Sequence, residues 1–193
     1  MKMLAPPRLA PRLLAFWFGS GAEYGVPQKR WFEKNPAFDA QIRRRFANWP
    51  QRLAASGAWL GSPRECLARI IGLDQLPRQL YRGRARAFAY DPFALDTAKY
   101  LVSKRWDRRL LPVQRMFAYL PFEHSESLAD QDRAVELCKP LDAFPQTPEV
   151  HRYAIRHREI VQRFGRFPHR NAALGRPSTP EEIEFLKQPG SGF

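Results

Sequence analysis

Residues 151–176 read HRYAIRHREIVQRFGRFPHRNAALGR. In and just before this stretch, one set of positions recurs at spacings of three and four: Val150, Tyr153, Ala154, His157, Ile160, Val161 and Phe164. That spacing predicts one face of an α-helix about four turns long. Thr147 is suited to the N-cap of this helix, and Gly165 is suited to the left-handed residue that ends it.

Two features of the stretch indicate more than a packing helix. His157 falls on the apolar stripe, and a histidine facing a core must find a hydrogen-bond partner or shift its pKa. The segment after the helix, RFGRFPHRN, then supplies Arg163, Arg166, His169, Arg170 and Asn171. Guanidinium groups bind carboxylate or phosphate in a bidentate manner. The alternative is a turn whose arginines cap the helix and pair with acids elsewhere.

The chain as a whole predicts one domain over residues 1–193, with residues 1–10 as an irregular arm and residues 188–193 as a tail. An apolar share of 44% and an aromatic share of 13% indicate a globular protein. The net charge of +13 favours anionic partners. Two distant cysteines, Cys66 and Cys138, suit neither a disulfide framework nor a zinc site, so we expect buried free thiols in a reducing compartment.

Prolines interrupt the apolar N-terminal stretch, and no cleavage site follows it, so we expect no targeting signal. The chain offers nowhere the ~20 apolar residues that a membrane span needs. Both observations favour a cytoplasmic protein without a membrane partner.

The remaining pattern is helical throughout. Asn35-Pro36, the box Ser62-Pro63-Arg64-Glu65, Asp91-Pro92 and Ser178-Thr179-Pro180 each carry the signature of a helix start. About eight or nine helices are expected, without a convincing strand. Short connections punctuated by proline favour an all-α array of antiparallel helix pairs.

Two inward polar residues lie on other predicted helices. Asp74 continues the stripe of Leu67, Ile70 and Ile71, and we expect Pro77 to stop or kink that helix soon afterwards. Arg78 follows Asp74 by four residues. The pair is either a salt bridge that locks the helix end, or Asp74 orients an inward arginine or histidine.

His124 follows a helix that we expect Pro121 to break, and precedes one capped by Ser125 or Ser127. A helix N-terminus lowers the pKa of a nearby histidine. A neutral His124 could act as general base or ligand. It could equally be a structural side chain hydrogen-bonded to backbone.

The chain resembles a known family across nearly its whole length. FWFG (16–19), WFEKNPAFDAQIRRRF (31–46), LDQLPRQLYRGRARAFAYD (73–91), YLPFEHSESLADQ (119–131) and HREIVQRFGRFPHRNAALGRPSTPEEIEFL (157–186) resemble the bacterial family catalogued as domain of unknown function 924. The resemblance implies a tetratricopeptide-like, compact superhelical fold. It assigns no activity and no catalytic residue. The chain departs from the family at Leu76 and Gln79, where Phe and Asn are expected, and it is shorter around Pro50–Arg64.

Three functions remain open. The first is a His/Arg-rich pocket that binds, and could transform, a small anion bearing carboxylate or phosphate. The second is an interaction module for an acidic peptide or partner protein. The third is nonspecific binding of nucleic acid, suggested by charge but without a recognition module.

The first hypothesis assigns named residues. His124 and His157 are the catalytic candidates. The ligand-binding candidates are Asp74, Arg78, Glu126, Gln131, Arg166, His169, Arg170 and Asn171. A metal variant would use His124, Glu126, His157 and His169, but these lack a tight spacing such as H-E-x-x-H, so no metal is predicted. The sequence identifies no cofactor.

Overall fold

The computed structural model describes residues 9–192, and every regular element in that range is helical. The α-helices are α1 (Leu9–Phe18), α2 (Pro36–Phe46), α3 (Trp49–Ala54), α4 (Pro63–Ile70), α5 (Leu76–Leu80), α6 (Asp91–Ser103), α7 (Pro112–Glu123), α8 (Leu128–Cys138), α9 (Val150–Phe164), α10 (Asn171–Leu174) and α11 (Pro180–Leu186). A π-turn, Ile71–Gln75, joins α4 to α5 without a break. The predicted all-α class is confirmed, and the number of helices in the described range is close to the expected one.

Several helix ends follow the sequence signals. The side chains of Asn35 and Ser62 accept hydrogen bonds from the backbone N–H groups of Phe38 and Glu65. Thr179 forms a complete capping box at the start of α11. Gly165 ends α9 with a φ of 69°.

The predicted start of α9 is wrong. The helix begins at Val150, and the residue before it, Glu149, has a left-handed φ of 63°. Thr147 does not cap it, because the cap position falls two residues later, at Glu149, and no side chain caps the helix there. The Thr147 hydroxyl instead donates to the carbonyl of Leu141 at 2.8 Å, on the preceding segment.

Pro121 does not end its helix, contrary to the sequence prediction, whereas the helix that contains Pro77 ends three residues after it, at Leu80. Pro121 lies inside α7, which continues to Glu123. Pro77 is the second residue of α5, directly after the π-turn. Proline has no N–H for the carbonyl four residues earlier, and a π-turn is one way in which a helix accommodates such a loss.

Only the last two residues of the predicted N-terminal arm, residues 1–10, lie in the described range. Leu9 and Ala10 already belong to α1, and residues 1–8 lie outside the described range. No helix within residues 9–192 is long and apolar enough to cross a bilayer. Cys66 and Cys138 are buried free thiols, as predicted.

Two apolar clusters form the interior of the described chain. The larger one draws on α1 to α9 and includes Val150 and Ala154 of α9. The smaller one contains Ile160 and Val161 of the same helix, together with Phe167. His157 lies on α9 between these two sets of contacts and is buried. The polar residues described below therefore lie at the boundary between the two apolar clusters.

Phe117 of α7 is the centre of the larger cluster. Its ring contacts Trp17, Phe18 and Trp31 edge to face, with centroid distances of 5.7, 5.5 and 5.0 Å. The side chain is fully buried. Because these partners come from α1 and the turn at Lys29–Trp31, the ring connects the N-terminal third of the chain to α7.

We expect Phe117→Ala to lower the free energy of unfolding by about 3–5 kcal/mol, since it leaves a cavity among three aromatic rings. Chemical denaturation measures the change. Phe93→Ala is the matched control, because Phe93 is 42% exposed and a surface change there is expected to stay within about 0.5 kcal/mol. Equal effects of the two substitutions would contradict the central place of Phe117.

Candidate functional site

Seven side chains from distant parts of the sequence form a closed circuit of contacts, which we call the polar ring. Its members are Asp74, Arg78, Asp91, His124, His157, Phe167 and Arg170. They come from the π-turn, from α5, from the first residue of α6, from the residue after α7, from the middle of α9, and from the segment that contains the turn Pro168–Arg170. The circuit brings together five of the ten predicted site residues, and a sixth, His169, lies beside it.

Asp74 and His124 form the shortest contact of the polar ring. Asp74 is fully buried, and its Oδ1 lies 2.6 Å from Nδ1 of His124. Burial alone would raise the pKa of this carboxyl, but Arg78, His124 and Gln75 together hold the pKa below its usual value. Asp74 is therefore ionised, and Nδ1 of His124 donates the hydrogen bond. This tautomer leaves Nε2 of His124 as an acceptor.

Asp91 links the two arginines of the polar ring. Its carboxylate binds Arg78 in a bidentate manner, with contacts of 2.9 and 3.0 Å. Arg78 also reaches Oδ1 of Asp74 at 3.2 Å and donates to the Asp74 carbonyl at 2.6 Å. Arg170 approaches Asp91 only at 3.6 Å. The Asp74–Arg78 salt bridge and the orientation of a histidine by Asp74, which the sequence posed as alternatives, occur together.

Arg170 is the less completely paired of the two arginines. Its residue exposure is only 6%, and within the described chain its Nε has no hydrogen-bond partner. The guanidinium lies over the rings of Phe88 and Phe167, with its central carbon 4.8 and 4.5 Å from the two centroids. Burial, and then the charge of Arg78, lower its pKa to about 10. It remains a cation near neutral pH.

Of the other two predicted site histidines, His157 belongs to the polar ring and His169 lies beside it. The centroid of the His157 imidazole lies 6.2 Å from that of the His124 imidazole and 5.8 Å from that of the Phe167 side chain. Its Nδ1 lies 2.8 Å from the carbonyl of Tyr153, one turn earlier on α9, to which it donates. Burial lowers the pKa of His157 to about 3 and that of His169 to about 4, so both are neutral at neutral pH.

His124 occupies the end of a helix rather than the start of one. Its N–H donates to the carbonyl of Leu120, so it terminates α7, four residues before α8 begins. The pKa of His124 is lowered by burial and then by Arg78, while Asp74 acts in the opposite direction. The predicted direction of the shift is therefore right, but its predicted cause, a helix N-terminus, is wrong.

The other four predicted residues form hydrogen bonds or ion pairs with groups of the protein itself. Glu126 accepts from the N–H of Phe167 at 2.8 Å and from Arg176 at 2.8 and 3.0 Å. Arg166 binds both carboxylate oxygens of Glu182, at 2.7 and 2.8 Å. The Glu126–Arg176 pair joins residues 166–182 to the residues before α8, and the Arg166–Glu182 pair lies within that segment and closes it on itself.

Asn171 and Gln131 also have structural partners. Asn171 donates to Ser178 at 3.0 Å and to Glu182 at 3.2 Å, and it accepts from Arg176. The amide nitrogen of Gln131 donates to the carbonyls of Glu123 and Ser125, each at 2.6 Å. Gln131 thus satisfies carbonyls at the end of α7 and fixes the backbone on either side of His124.

Glu123 is a buried acid beside the polar ring that the sequence reasoning missed. It is 1% exposed, its Oε2 lies 3.4 Å from Nδ1 of His157, and Cys138 donates to its Oε1. Burial raises its pKa to about 8, and the nearby charge of Asp74 acts in the same direction. A helix that ended at Pro121 would have left Glu123 in a loop. With α7 extended to residue 123, Glu123 follows Met116 and Leu120 on the inward face.

Asp91, like Phe167, is a member of the polar ring that the sequence reasoning did not assign to the site. The sequence reasoning assigned it only to a helix start, yet α6 begins at Asp91 itself, and the carboxylate turns to Arg78 instead of capping the helix. A signal was present, since Asp91 lies within the same quoted stretch, residues 73–91, as Asp74 and Arg78. Within residues 9–192, no group of three or more histidine, cysteine or acidic side chains is arranged to hold a metal ion.

Comparison with known proteins finds the same molecule-wide likeness that the motifs suggested. A family model described as "Bacterial protein of unknown function (DUF924)" matches residues 13–190. A solved structure of a protein of unknown function from Agrobacterium tumefaciens has a TM-score of 0.81 and 36% identity, covering 95% of this chain and 99% of that one. No curated protein matches. The polar ring lies wholly inside the range matched by the family model.

The raised pKa of Glu123 predicts a pH-dependent loss of stability. The folded protein holds the proton up to about pH 8, whereas the unfolded chain releases it near its ordinary value of 4.5. Stability from this group is therefore lost as the pH rises between these values. Glu123→Gln cannot ionise, so its stability relative to the parent protein should increase by on the order of a few kcal/mol from about pH 5 to about pH 8.5.

Urea denaturation at several pH values measures this difference. Glu136→Gln provides the control, because Glu136 is an exposed glutamate paired with Arg133. If the profiles of Glu123→Gln and the parent protein run parallel across this range, the buried carboxyl is not protonated as described.

Proposed function

This chain belongs to the bacterial family of unknown function DUF924, and from the geometry of the polar ring we propose that it binds a small carboxylate or phosphate between His124 and Arg170. His124 takes up a proton when the anion binds. The proposal narrows the sequence hypothesis of a His/Arg-rich anion pocket to the residues whose polar atoms are not all used within the protein.

Arg170 supplies the observation that carries the proposal. A buried guanidinium normally has a closely matched carboxylate, because burying a charge without a partner is costly. Arg170 has its closest carboxylate oxygen at 3.6 Å, and that carboxylate, Asp91, is already held in a bidentate manner by Arg78. An added anion would give Arg170 the paired hydrogen bonds that guanidinium geometry favours.

His124 is suited to the proton-transfer role. Asp74 fixes the tautomer through Nδ1, so the lone pair of Nε2 is available. The side chain keeps 12% of its exposure, so solvent reaches part of it. Its lowered pKa keeps it neutral near pH 7, and a bound anion would raise that pKa again by favouring the charged form.

His157 is less suited to the same role, although the sequence made it an equal candidate. Its side chain is only 6% exposed, and its Nδ1 is committed to the carbonyl of Tyr153. With a pKa of about 3, it would need a large perturbation to accept a proton near neutral pH. We assign it to shaping the wall of the site beside His124.

The charges of the polar ring explain why proton uptake should accompany binding. Arg78 and Arg170 contribute two positive charges, and Asp74 and Asp91 contribute two negative charges. Glu123 keeps its proton up to about pH 8. The ring is therefore close to neutral overall, and an incoming anion would add an uncompensated negative charge at low dielectric. Protonation of His124 restores the balance.

We expect the affinity for acetate or inorganic phosphate to fall by up to about tenfold for each pH unit above the pKa of free His124. Isothermal titration in buffers of different ionisation enthalpy should show that close to one proton is taken up per anion bound. Binding that is independent of pH and of the buffer would contradict the assigned role of His124. Failure of both anions to bind at any pH would contradict the site itself.

Single substitutions should show whether anion binding depends on the site residues or on the net charge of the protein. Arg170→Gln should abolish binding, and His124→Asn should abolish proton uptake. Matched controls are His151→Asn, which removes an exposed histidine bound to Asp142 at 2.8 Å, and Arg133→Gln, which removes an exposed arginine. Circular dichroism shows whether each variant keeps its helices. If the controls weaken binding as much as the site variants, the anion responds only to the net charge of the protein.

A further inference from the structure

A concave site lies among α1, α2 and α3 and shares no residue with the polar ring. It is a cleft of about 640 Å³. Its lining consists of Leu9, Arg12, Phe16, Arg45, Phe46 and Trp49. Clefts of this size accommodate ligands of ordinary small-molecule dimensions.

The apolar part of the cleft is a continuous aromatic wall. Phe16 and Phe46 have ring centroids 5.0 Å apart, and Phe46 meets Trp49 edge to face at 4.8 Å. Trp49 in turn meets Trp59 at 5.5 Å. Because the rings contact one another, they form one surface for an apolar body. They are not separate platforms on which successive nucleic-acid bases could stack.

Two arginines supply the polar part of the cleft. The central guanidinium carbon of Arg45 lies 5.2 Å from the centroid of Phe16, and Arg12 is one turn before Phe16 on α1. Both arginines are exposed residues. Among residues 9–192, neither forms an ion pair with an aspartate or glutamate, unlike Arg158, Arg163 and Arg166. The sequence of residues 1–8 contains no acidic residue either.

An apolar wall beside two cations without acidic partners is complementary to an amphipathic anion. We propose that this cleft binds a small molecule with an aromatic or hydrocarbon body and a single carboxylate. The body packs against Phe16, Phe46 and Trp49, and the carboxylate binds Arg45 and Arg12. Burial of the body supplies affinity, and the guanidinium groups select for charge.

The probe for this cleft is 2-naphthoate, with 2-naphthalenemethanol as a neutral molecule of similar shape. The chain has five tryptophans, so the indole N–H resonances report where a ligand binds. We expect naphthoate to shift the Trp49 signal and to leave that of Trp106 unchanged, since Trp106 packs against Tyr100 on a separate segment. The neutral alcohol should bind at least about tenfold more weakly, because it forms no charge-assisted hydrogen bond.

Substitutions then test the assigned groups. Arg45→Gln should weaken naphthoate binding by about tenfold or more. Arg44→Gln is the matched control, because it removes a neighbouring exposed arginine of α2 that does not line the cleft. Arg170→Gln should leave naphthoate binding intact, which distinguishes this cleft from the polar ring.

Three results would overturn the proposal. Equal affinity for the acid and the alcohol would show that charge plays no part. Equal losses from Arg44→Gln and Arg45→Gln would reduce the arginines to a general basic surface. Displacement of naphthoate by a short single-stranded oligonucleotide, with affinity that falls steeply with salt, would assign the cleft to nucleic acid instead.

Discussion

The hydrogen bond between Asp74 and His124 is the constraint on which the architecture around the polar ring depends. Asp74 has no solvent exposure and is ionised. The hydrogen bonds that water would give an exposed carboxylate must therefore come from the protein. Gln75, Arg78 and His124 supply them. To do so, the π-turn, the start of α5 and the end of α7 must meet at one point. The aspartate therefore fixes the position of its neighbours as much as they stabilise its charge.

The parts of this arrangement that were predictable from the sequence are those that follow from helical periodicity. Asp74 and His157 fall on apolar stripes, and the structure buries both. Arg78 follows Asp74 by one turn, and the salt bridge between them forms. These predictions succeeded because residues three or four positions apart on a helix must lie on the same side. The helix starts at Ser62 and Thr179 were predictable for a similar reason, since a cap and its partner are neighbours in sequence.

What the sequence could not supply is the pairing of charges across long separations. Glu126 binds Arg176, which lies 50 positions later, and Arg166 binds Glu182, which lies 16 positions later. A chain with 32 basic and 19 acidic residues offers many such pairings, and local spacing does not choose among them. Pro121 shows a second limit. Proline usually ends a helix, but α7 continues for two residues beyond Pro121, and Glu123 is buried as a result. The tetratricopeptide-like arrangement of the helices stays a prediction.

The two proposed sites of the chain differ in physical character. The polar ring is buried and nearly neutral overall, because its cations and carboxylates are interleaved. The cleft among α1, α2 and α3 is open, aromatic, and cationic at its edge. For the first we propose a compact anion whose charge is balanced by proton uptake. For the second we propose a larger molecule whose apolar part contributes most of the binding free energy.

The ion pairs that attach residues 166–182 have a consequence for how the molecule fluctuates. The apolar cluster at this end contains only Ile160, Val161 and Phe167 as buried members, with Phe164 and Phe185 partly covered. Ion pairs that join the segment to the rest of the chain are Glu126–Arg176 and Arg163–Glu181, and both are partly exposed and weakened by dissolved salt. Such a segment can detach as a separate cooperative unit while the larger cluster stays intact. Arg170 and His169 belong to it. The polar ring is complete only in molecules with this segment in place, so weaker ion pairs at high salt would lower the fraction in which it is complete.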